Sequence, residues 1–316
     1  MNAPAAPAAP EAPAPARGAP GVLTEVADGV HAFVQPHGGW CLNNAGLVLG
    51  ETALLIDTAA TESRTRRLRE EVLRLVPDGP DLLVNTHFHG DHVFGNSHFT
   101  PRARVLAHAS ARSDMAESGL GLCGLWPDVP WGDLRLVLPD LTFRDALTVH
   151  TGDLSVELLH FGPAHTAGDV VAWVPERGVL FTGDVAWSQV TPFVLMGSFE
   201  GSFRALDRMR ALRPRVVVAG HGPVAGPEVL DETERYLRHV LAIADDGLRA
   251  GLTPLEAARA AGPGPYAELP DAERLAANLH RAYAERSGTP PGGRIDVQAA
   301  FADLVALGGR LPECHA

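Results

Sequence analysis

The run Val84-Asn85-Thr86-His87-Phe88-His89-Gly90-Asp91-His92 concentrates imidazoles and a carboxylate at the end of an apolar segment. That segment, Asp81 to Asn85, has the pattern of a short buried strand. In extended chain, residues two apart project to the same side, so His87 and His89 converge on one point. Asp91 and His92 lie beyond the bend at Gly90 and face a second point close by. Neutral imidazoles with carboxylates are the donor set of a borderline divalent ion such as zinc, and iron or manganese share those preferences. The competing reading is a polar loop rich in His. With 14 His in 316 residues, so dense a cluster is rare by chance, and a metal site is the sharper reading.

Three further polar points sit at the ends of predicted strands: Gly162-Pro163-Ala164-His165-Thr166-Ala167-Gly168-Asp169, Phe181-Thr182-Gly183-Asp184 and Val218-Ala219-Gly220-His221-Gly222. In each, an apolar strand delivers a glycine-bracketed His or Asp into a loop, the arrangement of a site on a rigid scaffold. Each alone reads more readily as a satisfied surface side chain. A ligand imidazole needs its second nitrogen held. Asp57, at the end of a predicted strand, and Asp169, four residues after His165, are candidates for that task, with turn capping as the alternative for both.

The elements that must position these residues follow from periodicity. Val22 to Val34 alternates about Gly29, a hairpin, and Asn43–Leu49 with Ala53–Asp57 form a second pair. Glu62 to Val76 is an amphipathic helix, apolar at Leu68, Val72, Leu75 and Val76. Its other face carries Arg64, Arg66, Arg67, Arg69 and Arg74, a solvated face or a docking patch for an acidic protein. A strand at Arg104–Ala107 and a short helix from Ser110 follow. Leu122 to Pro139, with Trp126 and Trp131, is too apolar to be only a connector. Strands at 147–150, 155–161, 170–174 and 179–182 precede a helix at 202–212 and a strand at 216–219. Beyond Pro227 the spacing predicts helices over 228–248, 254–261, 272–285 and 297–307. Two sheets with helices outside them make a layered αββα sandwich, an α+β fold. The expected divisions are a disordered Ala/Pro tail (1–20), a catalytic domain (21–226) and a C-terminal helical region packed on it (227–316).

Composition narrows the function classes. No apolar run approaches the length of a membrane span, and the Ala/Pro start lacks the basic and Leu-rich parts of a secretory signal. Cys41, Cys123 and Cys314 are too few and scattered for a disulfide framework, so a cytoplasmic setting is expected, with Cys41 and Cys123 as buried thiols rather than ligands. A net charge of −12 argues against a nucleic-acid partner.

With the seven candidates in hand, the chain resembles the metallo-β-lactamase superfamily of metallohydrolases. Its His-x-His-x-Asp-His pattern stands at His87, His89, Asp91 and His92, and the later positions at His165, Asp184 and His221. The resemblance implies the four-layer αββα sandwich, here with a C-terminal helical appendage, and a centre of two zinc ions. It would place one ion on His87, His89 and His165 and the other on Asp91, His92 and His221. Asp184 would bridge them and a hydroxide would be shared, with Asp91 and Asp184 as the catalytic carboxylates. Asp rather than Cys at position 184 is similar to the glyoxalase II and lactonase side of the family and speaks against β-lactam hydrolysis. Such paired cations would lower the pKa of water and polarise a bound carbonyl.

A closer resemblance is to the zinc-dependent, actinorhodin-type second-ring cyclases of aromatic polyketide pathways. It rests on Gly38–Gly46, Leu125–Gly132, Val190–Phe193, Gly220–Pro227, Leu279–Ala282 and Leu311–Cys314. It implies ring closure by intramolecular aldol condensation on a substrate held by an acyl carrier protein, then hydrolysis of the thioester. Trp40, Trp126, Trp131 and Phe193 could stack on a flat polycyclic substrate, or pack the core. The Arg64–Arg74 helix is the expected carrier-protein contact. The alternative is a general glyoxalase II-like thioesterase or lactonase for a small soluble substrate; a binding protein that has kept the fold without hydrolysis is disfavoured by seven filled positions. Oligomeric state stays open.

Overall fold

The computed structural model describes residues 21–36, 38–262 and 264–316. The Ala/Pro tail expected at 1–20 lies outside the described residues.

Two sheets face each other. The first runs through β1 (Val22–Ala27), β2 (Val30–Val34), β3 (Ala45–Val48), β4 (Leu54–Ile56), β5 (Leu82–Val84), β6 (Arg104–His108) and β7 (Leu141–Phe143) in that spatial order. β1 to β4 pair antiparallel, and β4 to β7 pair parallel. The second sheet has the order β12 (Val216–Ala219), β11 (Val179–Gly183), β10 (Val171–Val174), β9 (Ser155–Leu159) and β8 (Ala146–His150). Only β11 and β12 are parallel there. The predicted strands appear within a residue or two of their expected bounds. β7 was not foreseen: three largely exposed residues on the sheet edge carry no alternation.

Period-two alternation assigns each side chain to a layer. Leu54, Ile56, Val84 and Leu106 point between the sheets and meet Val156, Leu158, Ala172, Phe181 and Val218. Leu47, Leu55, Leu83 and Val105 point outward, where Leu68 and Val72 of α1 (Glu62–Leu75) cover them. On the far side, Val171, Trp173, Leu180 and Val217 are covered by Phe199, Leu206 and Met209 of α4 (Phe199–Ala211), after the intervening α2 (Gly90–Val93) and α3 (Ala109–Ser118). Val229, Leu237 and Val240 of α5 (Glu228–Arg249) complete that cover. The layers are therefore αββα, as expected.

The remaining helices are α6 (Pro254–Ala261), α7 (Arg274–Arg286) and α8 (Val297–Gly308). Thr253 opens α6 with a reciprocal capping box to Glu256. α6 and α7 share the outer core of the second sheet through Ala257, Leu275, Ala276 and Leu279. Ala277 of α7 and Ala300 and Leu304 of α8 instead join a separate apolar cluster with Trp40, Trp126, Trp131, Trp187 and Phe193. That cluster caps the edge of the sandwich on which the polar loops emerge.

Candidate metal centre and cavity

Parallel neighbours deliver their C-terminal ends to the same sheet edge. β4 and β5 are parallel, and so are β11 and β12. Asp57 follows β4, His87 and His89 follow β5, Asp184 follows β11, and His221 follows β12. β10 runs antiparallel to β11, so its start, and the loop carrying His165, reach the same edge. Backbone bonds join the loops: Asp57 N donates to Val84 O (2.8 Å), Val170 N to Thr86 O (2.7 Å) and Asn44 N to Gly220 O (2.6 Å). Asn44 Nδ2 also donates to Ala219 O and Gly222 O on either side of His221. A Cβ at Gly220 would collide with Asp184 Oδ1, which accounts for glycine there.

The seven candidates gather into two groups. His87, His89, His165 and Asp184 form one, and Asp91, His92 and His221 the other, with donor atoms in each group within 4.8 Å of one another. In the first, His89 Nδ1 stands 3.1 Å from His87 Nε2 and 2.8 Å from His165 Nε2. Asp184 Oδ2 lies 3.4 Å from His165 Nε2 and 3.8 Å from His87 Nε2. Tetrahedral zinc with bonds of about 2.0–2.1 Å has ligand–ligand edges of roughly 3.3 Å, so this group has the right spacing. In the second, His221 Nε2 is 3.4 Å from Asp91 Oδ2 and 3.3 Å from Asp184 Oδ2. His92 Nε2 is 3.2 Å from Asp184 Oδ1. Asp184 thus faces both groups.

The donor set fits divalent cations on two counts. His92 Nε2 and Asp184 Oδ1 are buried and have no hydrogen-bond partner despite their proximity. Leaving such atoms unsatisfied costs about 1–3 kcal/mol each, and a cation would satisfy both. The electrostatics agree in the first group; in the second, burial is outweighed by Asp184 and its neighbouring carboxylates, which raise His92 and His221, so a cation would have to deprotonate both. Burial holds His89 down to about 3 and His87 well below the imidazole range, so both are neutral with free lone pairs. Burial alone would raise Asp91, but His92 and His221 hold it at about 2. Burial likewise opposes the charge on Asp184, yet His221 and His92 keep it well below the carboxylate range.

Imidazole orientation is set from behind. Asp57 Oδ2 is 2.8 Å from His92 Nδ1, and Asp57 accepts from Thr86 N and Thr86 Oγ1, both at 2.7 Å. Thr86 Oγ1 is in turn 3.1 Å from His87 Nδ1. Asp57 adopts φ +60, a left-handed conformation that Asp tolerates better than most residues. His165 Nδ1 donates to Phe193 O at 2.6 Å. Asp169 does something different. Its carboxylate accepts from Ala164 N, Thr166 N and Thr166 Oγ1 and shapes the loop that carries His165, and bonds to no ligand imidazole among the described residues. Of the two carboxylates proposed to hold a ligand ring, only Asp57 touches one.

Beside the centre lies an apolar cavity of about 370 Å³, into which His89, Asp91, His165, Asp184 and His221 open. Trp40 and Phe193 line it, together with Phe88, Phe94, Trp187 and Phe301. Trp126 and Trp131 do not line it. Trp126 Nε1 donates to Pro312 O (2.7 Å) and Trp131 Nε1 to Trp126 O (3.0 Å), so both rings are spent on packing the loop and the C-terminal segment. An aromatic residue has the same sequence signature in either role, and the tertiary partner decides.

Several contributors went unread in the sequence. Trp187 stacks on His221 at 4.7 Å and 8° and donates from Nε1 to Asp184 O at 2.7 Å. Its place three residues after Asp184 was the available signal. The buried Arg274 guanidinium lies over Trp40 (4.4 Å) and Trp187 (4.8 Å), bracing one wall. Cys41 is buried and lines the cavity, Cys123 is half-buried, and no thiol belongs to either ligand group among the described residues. The Arg face of α1 is not a bare cationic surface. Arg66 pairs with Glu62, Arg67 and Arg74 with Glu71, Arg69 donates to His98 O, and Arg64 holds His315 O.

Comparison with known proteins agrees with the fold. The profile of the metallo-beta-lactamase superfamily matches residues 38–221, more than half of the chain, and the chain belongs to that superfamily of metal-dependent hydrolases. It is 27% identical over 253 residues to a linear primary-alkylsulfatase of a Pseudomonas species, covering 65% of this chain and 47% of that protein. The chain thus spans about half the length of that relative. A type 2 metallo-beta-lactamase of Bacteroides fragilis is 24% identical over 230 residues (69% of this chain, 86% of that one). A Homo sapiens acyl-coenzyme A thioesterase is 30% identical over 198 residues (58% and 66%). Among solved structures, a metallo-beta-lactamase from Pontibacter korlensis superposes with a TM-score of 0.58 at 22% identity, over 69% of this chain and 99% of that one. No described helix is long and apolar enough to cross a membrane.

Proposed function

We propose that this chain is a zinc-dependent thioester hydrolase for a flat, aromatic acyl group, and that it also closes a ring on that group, as in aromatic polyketide assembly. The observation that carries the reading is the aromatic cavity opening directly onto the His/Asp centre. A small polar acyl group would gain little from six aromatic walls, whereas a flat polycyclic one buries its faces against them.

His87, His89 and His165 would hold one divalent ion and Asp91, His92 and His221 the other, with Asp184 between them. Ions so held polarise a bound carbonyl and make water a nucleophile near neutral pH. The chain supplies the rest. Trp40, Phe193 and Phe301 orient the acyl group and exclude bulk water. Asp91, 8 % exposed and facing the cavity, would hydrogen-bond and orient the water or hydroxide that accepts a proton. In ring closure that water or hydroxide takes the proton from the carbon beside one carbonyl; that carbon attacks a second carbonyl carbon, whose oxygen takes up a proton. In hydrolysis water adds to the thioester carbon, the C–S bond breaks, and the thiol leaves with a proton. The substrate would arrive on an acyl carrier protein.

The test offers the purified, zinc-loaded chain an aromatic polyketide-like thioester and lactoylglutathione. Preferential turnover of the aromatic thioester, with a cyclised product, is the expected result. Faster turnover of lactoylglutathione would replace this reading with a glyoxalase II-like one.

A further inference from the structure

A second cavity adjoins the first, and its lining is more polar. It measures about 270 Å³ and shares Phe88, Ser118, Met196 and Val297 with the apolar cavity, so the two are neighbouring chambers with a common wall. Its other walls are mixed: the charged Asp114 and Glu117 of α3, Arg281 of α7 and Arg294 in the connection to α8 stand among Gly292, Gly293 and the apolar Ala167 and Ile295. The charges are not equally answered. Arg294 and Glu117 pair through two contacts across the wall, one of them Nη1 to Oε1 at 2.7 Å. Arg281 is 1 % exposed and, although the Glu285 charge acts on it, has no carboxylate hydrogen-bonded to it among the described residues. Its Nε donates to Leu195 O (2.9 Å) and its Nη2 to Gly293 O (2.8 Å), while the buried Nη1 has no partner. A buried guanidinium N–H without an acceptor is costly, and a ligand oxygen would relieve it. Asp114 offers a half-buried carboxyl on the same wall.

We propose that this cleft is a binding subsite for the amide-bearing thiol arm of the substrate, seated while the acyl group occupies the apolar cavity. Two carboxylates and two guanidiniums cancel, so the wall favours a neutral polar ligand over an anion, which would meet Asp114 and Glu117. An amide matches what is left over: its carbonyl accepts from Arg281 Nη1, and its N–H donates to Asp114. Because the chambers share a wall, an acyl group in one and an arm in the other would place the thioester linkage between them. The inference rests on the thioester reading above.

The experiment uses two thioesters of one aromatic acyl group, one on pantetheine (two amides) and one on ethanethiol (none), together with calorimetric binding of free pantetheine. Wild type should favour the pantetheine thioester at least tenfold in kcat/KM. Arg281→Gln and Asp114→Ala should each cut that preference at least fivefold and weaken pantetheine binding to match, with wild-type metal content and circular dichroism. Asp114, on an exposed helix, keeps the test open if Arg281→Gln fails to fold. Hydrolysis of both thioesters without preference, or a preference that both variants keep, would overturn the cleft and leave the hydrolase reading standing. Should neither thioester turn over, the hydrolase reading falls; pantetheine binding then decides the cleft, for it if Asp114→Ala weakens binding and against it otherwise.

Discussion

The metal-binding edge and the wall that surrounds it are held in different ways. At the edge, every candidate ligand sits within a few residues of a strand end or on a loop tied to one, and Asp57, Thr86 and Asn44 lock the loops with short hydrogen bonds. The wall is assembled from separate parts of the chain: Trp40 from an early loop, Phe193 from the segment before α4, and Phe301 from α8, held by ring packing at 5.3–6.4 Å. A centre needs donor atoms placed to a few tenths of an ångström, and only a rigid sheet edge supplies that. A wall for an apolar face needs area and shape, which helices and loops can supply in many ways. Chemistry and selectivity should therefore be separable by mutation.

The sharpest way to break this comparison is at the edge. Asp184→Ala removes the carboxylate that faces both groups, and kcat/KM for thioester hydrolysis should fall by at least about a thousandfold with the fold retained. Metal content by mass spectrometry should fall below that of wild type. A rate within tenfold of wild type would remove Asp184 from the chemistry. One layer back, Asp57→Asn weakens the hold on His92 and Thr86. Metal affinity measured against a competing chelator should drop roughly 10–100-fold, the usual effect of losing a partner behind a ligand. Asp169→Asn should do less, because the Asp169 carboxylate touches no ligand imidazole among the described residues; equal losses would erase the distinction drawn between the two.

At the wall the effects should be smaller and of another kind. Phe301→Ala removes one ring, worth about 0.5–1.5 kcal/mol, so KM for the aromatic thioester should rise by several-fold to about tenfold. The kcat should stay within about twofold; a collapse in kcat would show that wall and edge are not separable. Smallest of all in its effect on activity, Trp126→Phe loses the bond to Pro312 O and part of a buried ring. It should lower stability by roughly 1–3 kcal/mol in a denaturant titration and leave substrate preference alone. A change in preference would return Trp126 to the cavity wall.

Much of the edge was legible before any coordinates. The hexapeptide from His87 to His92 advertises itself by density, and Asp184 and His221 follow apolar strands whose ends are marked by glycine. Asp57 was readable as a strand-end carboxylate, but its partner was not, because His92 and Thr86 lie far from it in the chain. Asp169 looked equivalent by spacing from His165 and turned out to cap its own loop, a local bond that outcompetes a distant ring. The arginines of the α1 face were legible in the sequence, and so was the spacing by which Arg66, Arg67 and Arg74 meet Glu62 and Glu71 one helical turn away.

From its own residues the sequence determined the alternating strands, the helices, the αββα layering and the side chains that could hold a cation, because these depend on local periodicity and on residue chemistry. The convergence of five loops on one point depended instead on strand order: β4 beside β5 and β11 beside β12, each pair parallel. Which tryptophans face a substrate and which face the core was decided by α8 and the C-terminal segment folding back across the site. So was the pairing of an apolar chamber with a polar one. Such contacts join residues more than a hundred positions apart, where periodicity carries no information and only the packed structure chooses.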